Sequence, residues 1–113
     1  MKKDISDKPF FSIITCTYNS EKFLKKNLYS VKTQTFKDFE QIIIDGKSTD
    51  KTLEITKTYS KNNPRTKLFY RVPKGVSDAF NFGIKCSRGK FIIFLNSDDS
   101  LYDRNILRDA SIF

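Results

Sequence analysis

Histidine and tryptophan are absent from this 113-residue sequence, which holds only two cysteines, three prolines and four glycines. The absence of histidine excludes, within these residues, both zinc sites that use imidazole and acid–base chemistry that depends on it. The two cysteines, Cys16 and Cys86, fall inside segments with the patterning of regular elements. We therefore predict reduced, buried thiols rather than a disulfide.

Long hydrophobic runs are absent as well. No apolar stretch approaches the roughly 20 residues that a membrane-spanning helix requires, and residues 1–9 form a polar lead-in without the apolar core of a signal peptide. We therefore expect a cytoplasmic protein. With 38% hydrophobic residues, the segment 10–113 is long enough for one small domain with a core of its own.

The charge is unbalanced, because 21 Lys and Arg residues against 13 acidic residues give a net charge of +8. A basic chain suits an anionic partner such as a nucleic acid, a lipid surface or a phosphate-bearing ligand. The lysines are scattered along the chain rather than gathered in one block. This distribution favours an ordinary solvated surface over a dedicated anion-binding stripe.

The most informative stretch is the apolar run Phe91-Ile92-Ile93-Phe94-Leu95, which ends in Asn96-Ser97-Asp98-Asp99. A short run rich in Ile and Phe predicts a strand buried on both faces, as in a parallel sheet covered by helices. Ligands bind such sheets at the carboxyl ends of the strands, where Asp98 and Asp99 would lie. Two adjacent carboxylates repel each other, and a hard cation would relieve the repulsion. The alternative is an acidic turn that caps the next helix.

The rest of the chain alternates strands with helices. Strands are predicted at residues 10–17, 39–45, 67–72 and 91–95. The helices between and after them have the apolar or buried positions Leu24, Leu28 and Val31; Thr52, Ile55, Thr56 and Tyr59; Val76, Ala79, Phe80, Gly83 and Ile84; and Ile106, Leu107 and Ala110. Ser20 and Asp103 are candidate N-caps, and Gly89 suits the C′ position of the third helix. This order predicts an α/β fold with a doubly wound, mostly parallel sheet.

Polar clusters follow three of the predicted strands. They are Thr17-Tyr18-Asn19, Asp45 with the turn 46–50, and residues 96–99. Each cluster alone is explained by turn and cap chemistry. Because the carboxyl ends of parallel strands lie at one edge of a sheet, the three together favour a ligand crevice.

Two common phosphate-binding motifs are excluded. Gly46-Lys47-Ser48 follows a strand and opens a helix, as a P-loop does, but the P-loop requires a glycine five residues before the Gly-Lys pair. That position is Gln41, inside a strand. The segment after the first strand also lacks the Gly-x-Gly-x-x-Gly pattern of dinucleotide-binding folds.

Four segments carry a family resemblance. They are Thr17-Tyr18-Asn19, Ile44-Asp45-Gly46-Lys47-Ser48-Thr49-Asp50, Lys74-Gly75-Val76-Ser77-Asp78-Ala79-Phe80-Asn81-Phe82-Gly83-Ile84 and Phe94-Leu95-Asn96-Ser97-Asp98-Asp99. In this order and spacing they resemble the nucleotide-sugar-binding half of glycosyltransferase family 2, which has the Rossmann-like GT-A fold. The resemblance covers residues 10–113, nearly the whole chain.

The resemblance implies a site as well as a fold. In the family, the segment matching Thr17-Tyr18-Asn19 touches the nucleoside, and the residue matching Asp45 contacts the base. The residues implied to bind the nucleotide sugar are Thr17, Tyr18, Asn19, Asp45, Lys74, Asp78, Asn81, Asn96 and Ser97. Asp98 and Asp99 are implied as ligands of a divalent metal, Mn²⁺ or Mg²⁺, which would neutralise the charge that develops on a nucleoside diphosphate leaving group.

The sequence departs from the family at two positions of the site. Asn96 stands where the first Asp of the family's Asp-x-Asp motif often stands, and Lys47 replaces a glycine or small residue in the turn. The lysine either adds a cation near the phosphates or points to solvent. The family's enzymes also continue with an acceptor-binding half that carries an Asp or Glu general base, and we expect that half, and the base, beyond Phe113.

The resemblance therefore implies an inverting glycosyltransferase that takes a UDP- or GDP-sugar and transfers the sugar to a hydroxyl of a glycan or lipid-linked acceptor. Synthesis of a bacterial polysaccharide or cell-surface glycan is the expected setting, with peripheral association at the inner face of the membrane. The chain alone is expected to bind donor without transferring it, and to self-associate through the open sheet edge beside 91–95. The alternatives are a nucleotidyltransferase of similar fold, although Thr17-Tyr18-Asn19 is not its glycine-rich loop, and a basic nucleic-acid-binding module.

Overall fold

The structure, a computed structural model, describes residues 8–112. Strands and helices alternate in the order β1 (Phe11–Thr17), α1 (Glu21–Lys32), β2 (Phe39–Asp45), α2 (Thr52–Asn62), β3 (Thr66–Tyr70), α3 (Val76–Cys86), β4 (Phe91–Phe94) and α4 (Ile106–Ser111). Most of the predicted lead-in at 1–9, and Phe113, lie outside the described residues.

The four strands form one sheet in the order β3-β2-β1-β4. Every pairing is parallel, so each connection is a crossover that carries a helix. The predicted α/β class and parallel sheet are therefore confirmed. The central strands are buried along their length, and all seven residues of β2 are buried.

Helices cover both faces of the sheet because successive side chains of a strand point to opposite faces. Ile14, Ile42 and Ile44 face α3 and form one core cluster with its residues. On the other face, Ile43 packs with Leu24 and Leu28 of α1. A third cluster joins Phe11, Ile13, Val31, Phe39 and Leu95 to Leu107 of α4. The apolar faces predicted for α1 and α2 are thus confirmed as buried or half-buried.

The prediction that Phe91–Leu95 is buried on both faces is wrong for most of that stretch. Phe91 and Phe94 are each 51% exposed and Ile92 is 39% exposed, whereas Leu95 is buried. The reason is position, because β4 lies at the edge of the sheet and pairs only with β1. An edge strand has no neighbour on its outer side, and here its apolar side chains stay partly uncovered.

Several local predictions also need correction. β3 runs from Thr66 to Tyr70 rather than from 67 to 72. Val76 and Ile84 of α3 are 66% and 42% exposed, so the buried face of that helix is narrower than its apolar pattern. Neither Ser20 nor Asp103 makes a side-chain cap bond to a helix: Ser20 occupies the N-cap position of α1 without one, and Asn105 precedes α4.

Gly89 does not occupy the C′ position of α3, since that helix ends at Cys86. The glycine is needed for a close approach instead. A Cβ at this position would lie 2.4 Å from Oγ of Ser12 and 2.5 Å from its backbone nitrogen. The chain therefore passes directly against β1 just before β4 begins, and only a residue without a side chain fits there.

Candidate functional site

A cavity of about 530 Å³ opens at the carboxyl edge of the sheet. Its walls come from the segment after β1, the segment between β3 and α3, the first turns of α3 and the segment after β4. This is the edge at which open parallel sheets bind ligands, and the volume is that of a small-molecule site.

Most of the sequence-predicted site residues line this cavity. They are Thr17, Tyr18, Asn19, Lys74, Asp78, Asn96, Ser97 and Asp98. Three other predicted site residues, Asp45, Asn81 and Asp99, are not part of the lining. Lys47, the cation in the turn after β2, is not part of it either. Asn81 and Lys47 are exposed, so the structure does not bring these two side chains to the others.

The turn after β2 is bound to the end of β1 through Asn19. The side-chain oxygen of Asn19 accepts hydrogen bonds from the backbone N–H groups of Thr49 at 2.8 Å and Asp50 at 3.3 Å. The backbone N–H of Asn19 donates to Oγ of Ser48 at 2.9 Å. Asn19 and Lys47 both have positive φ, 47° and 61°. A left-handed conformation at Lys47 explains why a glycine suits this position in the family.

Asp45 is completely buried and takes part in the same junction. One carboxylate oxygen accepts hydrogen bonds from the hydroxyls of Thr17 and Ser48, each at 2.7 Å, and the other accepts the backbone N–H of Ser48 at 2.8 Å. Asp45 thus ties β1 and β2 together directly beneath the cavity. Any role in contacting a base would have to coexist with these three bonds.

The segment after β4 is held by α1. The side-chain amide of Asn27, which is fully buried, donates to the carbonyl oxygens of both Asn96 and Asp99 at 2.9 Å. The hydroxyl of Ser20 lies 2.9 Å from that of Ser97. These contacts fix both ends of the segment that carries Asp98, so its carboxylate stands at the cavity wall on a constrained backbone.

Two cations, Lys74 and Arg71, line the cavity from the β3–α3 side, and Asp98 lines it from the segment after β4. The guanidinium of Arg71 lies 4.2 Å from the centroid of the Phe82 ring and 3.5 Å from a carboxylate oxygen of Asp78. Its Nε is buried and has no hydrogen-bond partner among residues 8–112. The site therefore has the carboxylate of Asp98 on one wall and, on the other, Lys74 and the Arg71–Asp78 ion pair.

The remaining walls are largely apolar and aromatic. Tyr18 and Phe23 are 58% and 47% exposed although both line the cavity. Cys16 lies at its floor, and burial raises the pKa of this thiol to about 11, so it is protonated and a poor nucleophile at neutral pH. Cys16 and Cys86 are both free thiols, but both are half-buried rather than buried as predicted.

The carboxylates at the cavity suit a metal ion only if a bound ligand also coordinates that ion. Within the described part of the chain, no three acidic or cysteine side chains are grouped so as to hold an ion by themselves. Asp98 reaches the cavity, whereas a carboxylate oxygen of Asp99 lies 3.5 Å from the side-chain amide of Asn96. Ions such as Mg²⁺ are commonly bound by one or two carboxylates together with substrate phosphates. The residues present fit that arrangement.

Two residues of this region are missing from the sequence prediction. The sequence contained an indication for Asn27. Asn27, Ser30 and Gln34 form a polar i, i+3, i+7 series beside the apolar face of α1, and all three are buried. The indication for Arg71 was weaker: it is a cation directly after the end of β3. Neither could be assigned without knowing which segments the fold places beside them.

Comparison with known proteins identifies the family and supports the fold. The profile of glycosyl transferase family 2 matches residues 12–108. A PGL/p-HBAD biosynthesis glycosyltransferase of Mycobacterium tuberculosis is 39% identical over 106 residues, covering 93% of this chain and 41% of that protein. The putative glycosyltransferase EpsH of Bacillus subtilis is 33% identical over 105 residues, covering 90% of this chain and 30% of the relative.

Solved structures agree. S. aureus TarS in complex with UDP-GlcNAc superposes with a TM-score of 0.83 at 34% identity, covering 90% of this chain and 30% of the other. A mannosyltransferase of Pyrobaculum calidifontis, in complex with GDP-Man and Mn²⁺, has a TM-score of 0.83 and covers 94% of this chain and 32% of its own. At 21% identity, that second likeness establishes the fold alone.

The chain spans less than half the length of these relatives. None of the helices described at residues 8–112 has the length and apolar character needed to cross a bilayer. Because the family profile matches most of the chain and the best-covered relatives exceed 30% identity, the chain belongs to glycosyltransferase family 2.

Proposed function

We propose that the cavity at the carboxyl edge binds a nucleoside diphosphate sugar, and that residues 10–113 are the donor-binding domain of an inverting glycosyltransferase. The observation that carries this proposal is the composition of the cavity in a family 2 chain: Asp98 on one wall, Lys74 and Arg71 on the other, and aromatic side chains between them. The relative crystallised with UDP-GlcNAc supports a UDP-linked donor, and a GDP-linked donor is the alternative that the family resemblance implies.

The charges of the cavity suit the chemistry of such a donor. The leaving group is a nucleoside diphosphate, and the cations Lys74 and Arg71 would stabilise the negative charge that develops on it. Tyr18 and Phe23 offer exposed rings for contact with the base or the sugar. Asp45 would support base recognition through Thr17 and the turn after β2, to which it is hydrogen-bonded.

A divalent metal, Mn²⁺ or Mg²⁺, would be held by Asp98 together with the donor diphosphate, with Asp99 beside it. When bound, such an ion supplies further positive charge at the diphosphate oxygens. Asn96 would orient the segment rather than ligate the ion, because a neutral amide is a weaker ligand for a hard cation than a carboxylate.

The acceptor and the general base belong to the proposal for the whole enzyme. Because the relatives are more than twice as long as this chain, we propose that an acceptor-binding part beyond Phe113 supplies the carboxylate that deprotonates the acceptor hydroxyl. The acceptor would be a glycan or a lipid-linked glycan in bacterial polysaccharide or cell-surface synthesis. The enzyme would then work in the cytoplasm, peripherally at the inner face of the membrane.

Calorimetric titration of the chain with UDP, GDP and a short DNA duplex, each in EDTA and in Mn²⁺, tests the proposal. We expect a nucleoside diphosphate to bind and Mn²⁺ to tighten that binding. Arg71→Gln should weaken it, whereas Arg104→Gln, which removes the same charge outside the cavity, should not. Tight, salt-sensitive DNA binding without any response to nucleotides would contradict the proposal and favour a nucleic-acid-binding module.

A further inference from the structure

A second, much smaller cavity lies at the opposite edge of the sheet from the donor cavity. It has a volume of about 30 Å³ and lies at the amino ends of β2 and β3, beside the last turns of α1 and α2. We call it the basal pocket, and define it by Lys32, Lys37, Gln41, Arg65 and Thr66, which all line it. None of these residues has a part in the proposed donor site.

Two cations of the basal pocket, Lys37 and Arg65, lie close together, and no carboxylate of residues 8–112 forms a salt bridge with either. Nζ of Lys37 donates to the carbonyl oxygen of Lys32 at 2.7 Å, and Nε of Arg65 donates to the carbonyl oxygen of Lys37 at 2.8 Å. Burial lowers the pKa of Lys37, and the charge of Arg65 lowers it further.

Lys37 also stabilises the carboxyl end of α1, which by itself would explain a lysine at this position. That contact uses one of the three donor hydrogens of the ammonium group. Arg65 likewise uses only its Nε in the hydrogen bonds found among the described residues. Donor capacity for a further acceptor therefore remains on both side chains.

The third hydrogen-bond donor of the basal pocket, the side-chain amide of Gln41, is buried. Gln41 is completely inaccessible to solvent, and its side-chain oxygen accepts a hydrogen bond from the hydroxyl of Tyr59 at 2.8 Å. The Tyr59 hydroxyl in turn interacts with the hydroxyl of Thr66. In this arrangement the side-chain oxygen of Gln41 faces Tyr59. Its Nε2 has no hydrogen-bond partner in residues 8–112, although a buried, unpaired donor is costly.

We propose that the basal pocket binds the phosphate group of a phosphorylated ligand. Because Gln41 is inaccessible to solvent in this structure, the exposed side chains of Lys37 and Arg65 would move aside as the ligand binds. One phosphate oxygen would then enter the cavity and accept the hydrogen bond that Nε2 of Gln41 lacks. The other oxygens would remain at the rim, where Lys37 and Arg65 are exposed. The same chemistry is offered by the headgroup of an anionic phospholipid and by a free phosphate monoester, and the experiment below distinguishes these sources.

Nuclear magnetic resonance on the ¹⁵N-labelled chain tests the proposal directly. Inorganic phosphate should shift the side-chain NH₂ signals of Gln41 and the backbone amide of Thr66, whereas chloride at matched ionic strength should not. Arg65→Gln should weaken phosphate binding at these signals about tenfold, as loss of a charge-assisted hydrogen bond predicts. Lys85→Gln, which removes one charge from an exposed residue of α3, is the matched control.

Two further measurements complete the test. Gln41→Leu should abolish the phosphate response of Thr66; if that variant does not fold, the comparison of Arg65→Gln with Lys85→Gln decides alone. Sedimentation with phosphatidylglycerol or phosphatidylcholine vesicles then identifies the source: binding to the anionic vesicles that Arg65→Gln removes indicates a lipid headgroup, and phosphate binding without vesicle binding indicates a soluble ester. Equal responses to phosphate and chloride, or equal losses in Arg65→Gln and Lys85→Gln, would overturn the proposal.

Discussion

At the scale of single residues, Asp45 is predicted to serve both stability and ligand binding. Asp45→Asn replaces one acceptor oxygen by an NH₂ group and removes at least one of three buried hydrogen bonds. We expect the free energy of unfolding to fall by about 1–3 kcal/mol, measured with urea. Nucleotide affinity should fall equally in Mn²⁺ and in EDTA, because Asp45 lies at a different strand end from Asp98. If EDTA abolishes the difference from wild type, Asp45 acts through the metal and its assigned role is wrong.

Glu40 makes the stability of the chain dependent on pH. Burial alone would raise its pKa, but hydrogen bonds from Ser12 and the backbone N–H of Arg88, together with Lys67, hold the pKa below its ordinary value of 4.5. A carboxylate with a depressed pKa in the folded state contributes stability above its unfolded pKa and loses it as the pH falls through the folded value. We therefore expect the free energy of unfolding to decline below about pH 4.5.

The matched variant is Glu40→Gln, followed by urea unfolding across the acid range. It should be less stable than wild type at pH 7 and should lose less stability between pH 5 and pH 3. An identical acid dependence in both proteins would show that other carboxylates dominate.

At the scale of elements, α1 holds the proposed metal-binding segment in place through hydrogen bonds from Asn27. Asn27→Ala removes both hydrogen bonds to the backbone at Asn96 and Asp99. We expect a loss of about 1–3 kcal/mol in unfolding free energy and a weaker effect of Mn²⁺ on nucleotide affinity, since Asp98 is then less well positioned. Thr33→Ala removes an exposed hydrogen bond elsewhere on the same helix and should leave the Mn²⁺ effect intact. A destabilised Asn27→Ala with an unchanged Mn²⁺ effect would limit Asn27 to a structural role.

Sequence patterns predict where the helices and strands lie better than they predict what packs around each of them. The run Ile42-Ile43-Ile44 and the run at 91–95 look alike in the sequence, but the first is fully buried at the centre of the sheet and much of the second is exposed at its edge. Strand order depends on long-range pairing, which local patterning does not encode. The misassignment of Gly89 has a similar cause, since its close approach to Ser12 follows from tertiary packing rather than from the end of a helix.

At the scale of the whole molecule, the convergence of three polar strand ends was predictable because parallel strands present their carboxyl ends at one edge. The position of each side chain at that edge was not. Asp45 is enclosed by its own hydrogen bonds. Asn81 is exposed and is not part of the cavity lining. Arg71 lines the cavity from a segment that no motif marked. Motifs locate the segments of a site, whereas packing decides which of their side chains a ligand can reach.

The open edge of β4 predicts self-association of the chain. Phe91, Ile92 and Phe94 are exposed beside backbone groups that no strand pairs within the described sheet, and such edges associate with other chains. Light scattering should show a mass above that of the monomer that increases with concentration. Phe94→Lys should reduce this mass, whereas Tyr102→Lys, at an 86% exposed position outside β4, should not. A wild-type monomer at high concentration would contradict this prediction.

Asp98 is proposed to link a divalent metal to a nucleoside diphosphate in the cavity at the carboxyl edge. The most direct test is the affinity for UDP and GDP, by calorimetry in Mn²⁺ and in EDTA, of wild type, Asp98→Ala and Asn96→Ala. Asp109→Ala, which removes an exposed carboxylate from α4, is the control. We expect Asp98→Ala to lose the Mn²⁺-dependent binding, Asn96→Ala to weaken it less and Asp109→Ala to retain it. Equal affinity of wild type and Asp98→Ala in the presence of Mn²⁺ would contradict the account.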